Sequence, residues 1–493
     1  GMAALAAASP KRPPWQAWCF LALAMVLNLA IGSAPSYSYW KVGFYKHFTL
    51  CGTEGDAGPA SSSKDPWGGA CWDHTSLSSL YSWCIFGGFI CITPGILFDR
   101  CGPRATAAYG LVLVNLGIGG MLVLLHVGGT PPVALVGICY ALEEQGGAAS
   151  LYMVAVCVLV RSFPSHLVGI ASGGVAIAFG LSGLLWTTLA GSLFGFVEGA
   201  DPAKTHLVEF LTLVLMATDV AGVAIFLSAP RMLALVEDDD NAEQEPYSGH
   251  AVEKGDEDVP RLTESICSLD CLCLMALYSV VSAQVIGMSS YLSSIPTAFP
   301  GVHPKVFSMV PFVANVGGRV LYALVVDTLT RCGGRPAITA GNIWINVLYV
   351  LCFFALGAVA CTGEGPGWLI CLMVALGYSA YGGSVCFASS FTKLSFFDGH
   401  VGVLIGLLFT VAALASTIFS MFFDVGNSQG SSGVQRVPSD FVAPWVAGGV
   451  AALVALPVTL LVAIRALHGK RDPEEMGGYL AVRSVQTGPE RGP

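Results

Sequence analysis

Gly95-Ile96-Leu97-Phe98-Asp99-Arg100-Cys101-Gly102-Pro103-Arg104 is a short basic turn set between two long apolar runs. Its reading decides the fold. The flanking runs, 76–98 and 105–127, are each long enough to cross a ~30 Å hydrocarbon core, which takes roughly 20 apolar residues. The turn therefore lies at a membrane surface. A degraded second copy, Asp327-Thr328-Leu329-Thr330-Arg331-Cys332-Gly333-Gly334-Arg335, follows a later apolar run. Two copies in corresponding places point to two homologous halves.

The rest of the chain fits this picture. It has 493 residues, 54% hydrophobic and only 11% charged, where a soluble domain carries about 25% charged residues. Lipid, not water, surrounds most side chains. Twelve apolar runs lie near 16–38, 76–98, 105–127, 132–160, 166–196, 207–228, 267–295, 304–326, 338–359, 367–394, 401–424 and 442–466. They do not alternate as the roughly ten-residue strands of a membrane barrel would, and open strands would leave backbone groups unpaired in lipid. The expected fold class is an all-α polytopic membrane protein with twelve transmembrane helices, here called spans 1 to 12, in two pseudo-symmetric six-helix bundles. The expected organisation is an N-terminal tail at 1–15, a first bundle at 16–228, an acidic linker at 229–264, a second bundle at 265–467 and a C-terminal tail at 468–493. The first apolar run lacks a cleavable-signal pattern and reads as span 1.

Basic residues orient the bundle. Lys11 and Arg12, Arg100 and Arg104, Arg161, Arg331 and Arg335, and Arg465, Lys470 and Arg471 all fall on one side of twelve spans. That side is expected to be the cytoplasm, with both termini inside. Lys41, Lys46, Lys204 and Lys305 are the exceptions. The net charge of −9 owes much to the stretch between Arg231 and Arg261, which has little to bury and reads as a disordered linker. Nothing resembles a basic, aromatic-interleaved nucleic-acid surface. Of the 16 cysteines, most lie in apolar runs, where Cys packs as a small hydrophobe. Cys51 and Cys71 instead bracket a Gly/Ser/Asp-rich loop on the outer side. An oxidising compartment favours a disulfide between them; two free thiols are the alternative.

The turn at 95–104 resembles the loop between helices 2 and 3 of major facilitator superfamily transporters. Three stretches together narrow the likeness to the large neutral amino-acid transporters 3 and 4 and the apicomplexan amino-acid transporter family. They are Pro35-Ser36 followed by Lys46-His47-Phe48 and Cys51; Pro94 through Arg104; and Tyr381-Gly382-Gly383 with His400-Val401-Gly402-Val403-Leu404-Ile405-Gly406-Leu407. The resemblance covers both halves as islands. It implies a central cavity between two rocking bundles, a substrate site near the midplane and an amino-acid substrate. Arg161-Ser162-Phe163-Pro164, Gly180-Leu181-Ser182-Gly183 and Asn315-Val316-Gly317-Gly318-Arg319 are similar instead to nodulin-like and monocarboxylate-type facilitators.

A zwitterion in a dry site needs polar partners at both ends. Ser33, Pro35 and Ser36 sit where Gly and Pro weaken span 1 and free backbone groups; a simple helix end at the interface is the other reading. Glu143, Glu144 and Gln145 fall near the centre of span 4, where ionisable groups face a cavity or a partner. One glutamate there can carry a proton or a cation, since burial favours the protonated carboxyl; a structural acid between helices is the alternative. The acidic pair departs from the neutral amino-acid transporters. Arg319 is the one arginine deep in an apolar run. It could neutralise a substrate carboxylate, but its place near the inner face favours a structural lock to a neighbouring acid. Tyr278, Gln284, Asn346 and Tyr381 are further polar candidates, each open to a bland reading as an interhelical hydrogen bond. Asp99, Arg100, Gly102 and Arg104 are expected to form a cytoplasmic gate latch with Asp327 and Arg335 as counterparts, a bistable contact of the kind a two-state carrier needs.

His126, His166, His206 and His303 lack ligand spacing, so no metal or cofactor is expected, and no enzyme. The expected function is a secondary carrier for amino acids, facilitative, with the bilayer and a small-molecule substrate as partners. Proton-coupled monocarboxylate transport and a non-transporting nutrient sensor on the same fold are the alternatives. The plasma membrane is the expected location, an endomembrane the alternative.

Overall fold

The structure is a computed structural model. It describes residues 13–31, 72, 80, 83–88, 90–196, 206–244, 262–289, 292, 295–299, 301–396, 398–425 and 437–468. Among the described residues ten helical stretches are long and apolar enough to cross a membrane, and Trp15–Ile31 is a shorter apolar helix. One of the ten, Trp83–Val127, carries spans 2 and 3. Gly102, at φ +80° and ψ 177°, breaks it. That conformation suits a residue without Cβ, and Pro103 then restarts the helix at the position where a missing N–H costs least. Counting spans 2 and 3 apart and adding Trp15–Ile31 gives the twelve spans.

Span 4 is Val133–Ser162, span 5 Ser165–Ser192, span 7 Asp270–Met288, span 8 Met309–Cys332, span 9 Ala337–Thr362, span 10 Gly367–Ser395, span 11 starts at Val401 and span 12 is carried by Val442–His468. The backbone is helical across the turn between spans 8 and 9, within Pro304–Thr362. The two spans still fold back on each other. A Cβ at Gly341 would lie 3.2 Å from Cδ1 of Leu329, whereas a straight helix would hold these residues roughly 18 Å apart.

Span 6 differs from the sequence expectation. Its helix runs from Leu207 to Gln244, so the start of the stretch assigned to a disordered linker is helical. Ala229 and Met232 are buried, and Met232-Leu233-Ala234-Leu235 are strong helix formers. The stretch holds more to bury than its acidic run suggests. Of the remainder of that stretch, 245–261 lies outside the described residues and the last three residues open the short helix Leu262–Ile266.

Two buried clusters fill the first bundle, one around Ala155 and Leu159, the other around Trp186 and Phe210. One large cluster fills the second bundle, around Tyr349, Phe353 and Phe387. The clusters interlock at the seam. Ala176 of span 5 packs into the second bundle's core, and Val401 and Ile405 of span 11 into the first's. The seam runs along spans 2 and 11 on one side and spans 5 and 8 on the other.

Candidate functional site

Two carboxylates close one end of this seam. Asp99 accepts the backbone N–H of Gly402 (3.0 Å) and of Val403 (2.7 Å) at the start of span 11. Arg161, at the end of span 4, donates to the same carboxylate at 2.7 Å and lies 4.9 Å over the Phe98 ring. Asp327, at the end of span 8, accepts the N–H of Gly169 (2.7 Å) and of Ile170 (2.9 Å) at the start of span 5. Each acid thus caps the positive N-terminus of a helix in the opposite bundle. The capped segments repeat in sequence, Val168-Gly169-Ile170 and Val401-Gly402-Val403, and each follows a short 3-10 turn.

Glycine lets these helices approach. A Cβ at Gly402 would sit 2.7 Å from the Gly95 carbonyl oxygen, and one at Gly406 would sit 2.3 Å from that of Cys91. At the other contact a Cβ on Gly169 would lie 2.5 Å from Asp327 Oδ1. Arg100 and Arg104 are exposed. Arg161, read from sequence as a topology marker and as part of the monocarboxylate-type likeness, is the basic residue that holds Asp99. Arg335 lies in the helical turn, with its side chain outside the described residues.

Deeper along the seam is an aromatic group. Tyr152 of span 4 meets Phe179 of span 5 edge-on at 5.6 Å and Phe409 of span 11 edge-on at 5.8 Å. Phe409 meets Tyr278 of span 7 at 5.4 Å. Arg319 lies within electrostatic reach of Tyr152, Tyr278 and Tyr381. It is buried, and its guanidinium donates to the carbonyl of Ala176 across the seam. Its Nε has no hydrogen-bond partner among the described residues. Among the described residues no carboxylate lies within 4 Å of it, so the expected lock to a neighbouring acid is not formed there.

Beside this group is a small cavity lined by Tyr278, Asn342, Asn346 and Ser384 together with apolar side chains. Its open space is about 10 Å³, room for about one water. Asn346 donates to the Asn342 carbonyl, while its Oδ1 and the Tyr278 hydroxyl lack hydrogen-bond partners among the described residues. Gln284 stands apart, tying span 7 to span 12 through the Gly448 carbonyl.

Glu143 and Glu144 lie elsewhere, inside the first bundle, at 4% and 1% exposure. They lie close to Cys84 and Tyr140, and Glu144 Oε2 is 3.2 Å from a Cβ position on Gly88. A π-helical turn, Gln145–Leu151, follows directly; such turns recur at functional sites. Gln145 spans to the Ile90 carbonyl at 3.1 Å, where span 2 is unwound. On the far side of that break Ile92 donates its N–H to Thr410 of span 11 at 3.0 Å. Ser33, Pro35, Ser36, Cys51 and Cys71 lie outside the described residues.

The structure thus brings Arg319, Tyr278, Tyr381 and Asn346 to one region and sets the acidic pair in another. Tyr152, Phe179 and Phe409 were not singled out by sequence reading; in sequence they are aromatics in apolar runs, like many others. No protein-family model matches the chain, and no curated protein matches it significantly. Solved structures do. The proton:xylose symporter XylE, bound to 6-bromo-6-deoxy-D-glucose, aligns at a TM-score of 0.59 and 15% identity, over 89% of this chain and 94% of that one. The xylose transporter XylE from E. coli, in a partially occluded inward-open conformation, aligns at 0.57 and 14%, over 89% and 97%. An outward-facing bacterial homologue of the iron transporter ferroportin, with soaked iron, aligns at 0.60 and 13%, over 89% and 98%. With twelve apolar spans in two bundles that superpose on these carriers, the chain has the major facilitator fold.

Proposed function

We propose that the chain is a secondary carrier that moves amino acids across a membrane by alternating access, without proton coupling. The solved neighbours include a xylose symporter and a homologue of an iron transporter, so the substrate has to be read from this chain's own residues. The observation that carries the reading is Arg319. A guanidinium inside a bundle is costly without a partner, and this one sits at the seam with no acid beside it among the described residues. A substrate carboxylate supplies the missing charge. The ammonium end goes to the spare oxygens of Asn346 and Tyr278, with the Tyr and Phe rings as an apolar surround that also favours a cation. Rocking of the two bundles exposes this region to each side in turn. In this reading the Asp99 and Asp327 contacts act as latches that hold one end of the seam, taken as the cytoplasmic one, closed.

The test is uptake into proteoliposomes of labelled leucine, arginine, tyrosine and lactate, with and without an inward proton gradient. Saturable amino-acid flux with counterflow, indifferent to the gradient and at least tenfold lower in Arg319→Gln, is the expected result. Proton-driven lactate flux without amino-acid flux would replace this reading by a second one, a proton-coupled organic-acid carrier. The buried Glu143–Glu144 pair favours that second reading, and under it Glu144→Gln or Glu143→Gln abolishes the dependence on the gradient. Saturable amino-acid binding without flux would make the chain a sensor.

A further inference from the structure

The lipid-facing surface of spans 3 and 6 carries a polar pair where none is needed for the fold. Asn115 donates to Asp219 Oδ1 at 2.8 Å and to the Leu111 carbonyl at 2.9 Å. Asn115 is exposed and Asp219 half-exposed. Asp219 lies 12 residues into the span that begins at Leu207, or roughly 18 Å deep at ~1.5 Å per residue. Asn115 lies near the middle of span 3, which ends at Val127. Both therefore sit near the bilayer centre, where a carboxylate facing lipid is costly and ordinarily turns to a bundle interior or a partner. Around them Val112, Leu116, Met216 and Val220 are 57–74% exposed, an apolar rim about a polar centre. A Cβ on Gly119, one turn along from Asn115, would meet nothing within 4 Å among the described residues, which leaves room for another helix to come close.

The chemistry of the pair selects its partner. Both amide hydrogens of Asn115 are spent within the chain, so the atoms left to an outside group are acceptors, Asn115 Oδ1 and Asp219 Oδ2. A second copy of this face would bring acceptor to acceptor and carboxylate to carboxylate. A basic side chain supplies donors and the opposite charge. We infer that the outer face of spans 3 and 6 docks a transmembrane helix of another protein that carries Lys or Arg at mid-depth.

The probe is a single-span poly-leucine peptide with one central lysine, compared with the same peptide bearing leucine there. Association with the full chain, labelled near its C-terminus, is followed by energy transfer in phosphatidylcholine vesicles. The lysine peptide is expected to associate at least tenfold more tightly than the leucine peptide. In Asp219→Asn this preference vanishes, while helicity and thermal stability stay at the wild-type level. Val220→Trp keeps the acid and covers the face, and it too is expected to lose the lysine peptide; this variant serves if Asp219 variants fold poorly. Equal association of both peptides with the wild type overturns the inference. So does chain–chain energy transfer that Asp219→Asn strengthens, which would make the occupant a second copy. Neither readout depends on what the carrier transports.

Discussion

Replacing Asp327 by Ala removes the acceptor for two backbone N–H groups, at 2.7 and 2.9 Å. Hydrogen bonds to a charged group contribute ~1.5–3 kcal/mol each, so the contact is worth ~3–6 kcal/mol before water is considered. Water that reaches the freed N-terminus of span 5 restores part of this. A net loss of ~2–3 kcal/mol from the closed state remains, and at 1.4 kcal/mol per decade this moves the open–closed balance roughly 30- to 140-fold toward open. Asp327→Asn keeps one acceptor oxygen and is expected to move it about tenfold. Spin labels at Arg100→Cys and Arg331→Cys report the balance directly, in a background with the other exposed cysteines replaced. Both positions are exposed and lie in opposite bundles at the latch end. Pulsed electron-spin distance measurements in nanodiscs should show a dominant short distance for the wild type and a dominant long one for Asp327→Ala. An unchanged distribution in Asp327→Ala, and in the double variant with Asp99→Ala, both properly folded, would refute the latch.

Three further outcomes follow from the same geometry. Gly406→Val places side-chain carbon against the Cys91 carbonyl, 2.3 Å from the first Cβ alone, and should lengthen the same spin-label distance; Gly191→Val, where a Cβ meets nothing within 4 Å, should leave it unchanged. Arg161→Leu takes away one ion pair of Asp99 while sparing its two N–H bonds. That pair lies within the first bundle and does not cross the seam, so the open–closed balance should shift by less than about fivefold in the same measurement, and by less than in Asp99→Ala. Gln145→Leu leaves the Ile90 carbonyl unpaired where span 2 is unwound, a cost of ~1–3 kcal/mol; the thermal midpoint in detergent should fall by about 1–3 °C.

The turn at 95–104 carried most of the fold, because three physical demands meet there. A positive-φ break needs glycine at 102, a helix restart welcomes Pro103, and a membrane surface tolerates Arg100 and Arg104. What Asp99 would touch was not legible. Its partners are backbone N–H groups of Gly402 and Val403, and a backbone group leaves no mark in the sequence. One trace was available. Val168-Gly169-Ile170 and Val401-Gly402-Val403 correspond once the halves are set against each other, and each marks the helix start that an acid of the other half caps. Arg319 was legible as a buried charge but not as one without an acid, since that depends on which helix faces it. The aromatic group was not legible, because Tyr152, Phe179 and Phe409 differ from other aromatics only by where three helices bring them. The helical start of the acidic stretch after span 6 was missed because charge was weighed over the apolar residues beside it.

The latches and the aromatic group belong to the same helices. Span 5 begins at the segment capped by Asp327 and carries Phe179 further along; span 11 begins at the segment capped by Asp99 and carries Phe409. Both rings close on Tyr152, which span 4 holds between them. Tyr152 and Phe179 belong to the first bundle and Phe409 to the second, so a rigid-body movement that uncaps either helix at the latch end must slide the Phe409 ring across Tyr152, and a tilt that parts those two rings must strain both caps. Packed interfaces of this kind have discrete arrangements and do not deform continuously. Closure of the latch end and closure of the aromatic group should then change as one event. Tyr152→Ala tests this, because it removes the ring between Phe179 and Phe409 without touching either acid. If the two closures are one event, the spin-label distance at the latch end should broaden in Tyr152→Ala, while Tyr152→Phe, which keeps both edge-on contacts, retains the wild-type distribution. A latch distance identical in all three proteins would mean that the gate and the centre move independently.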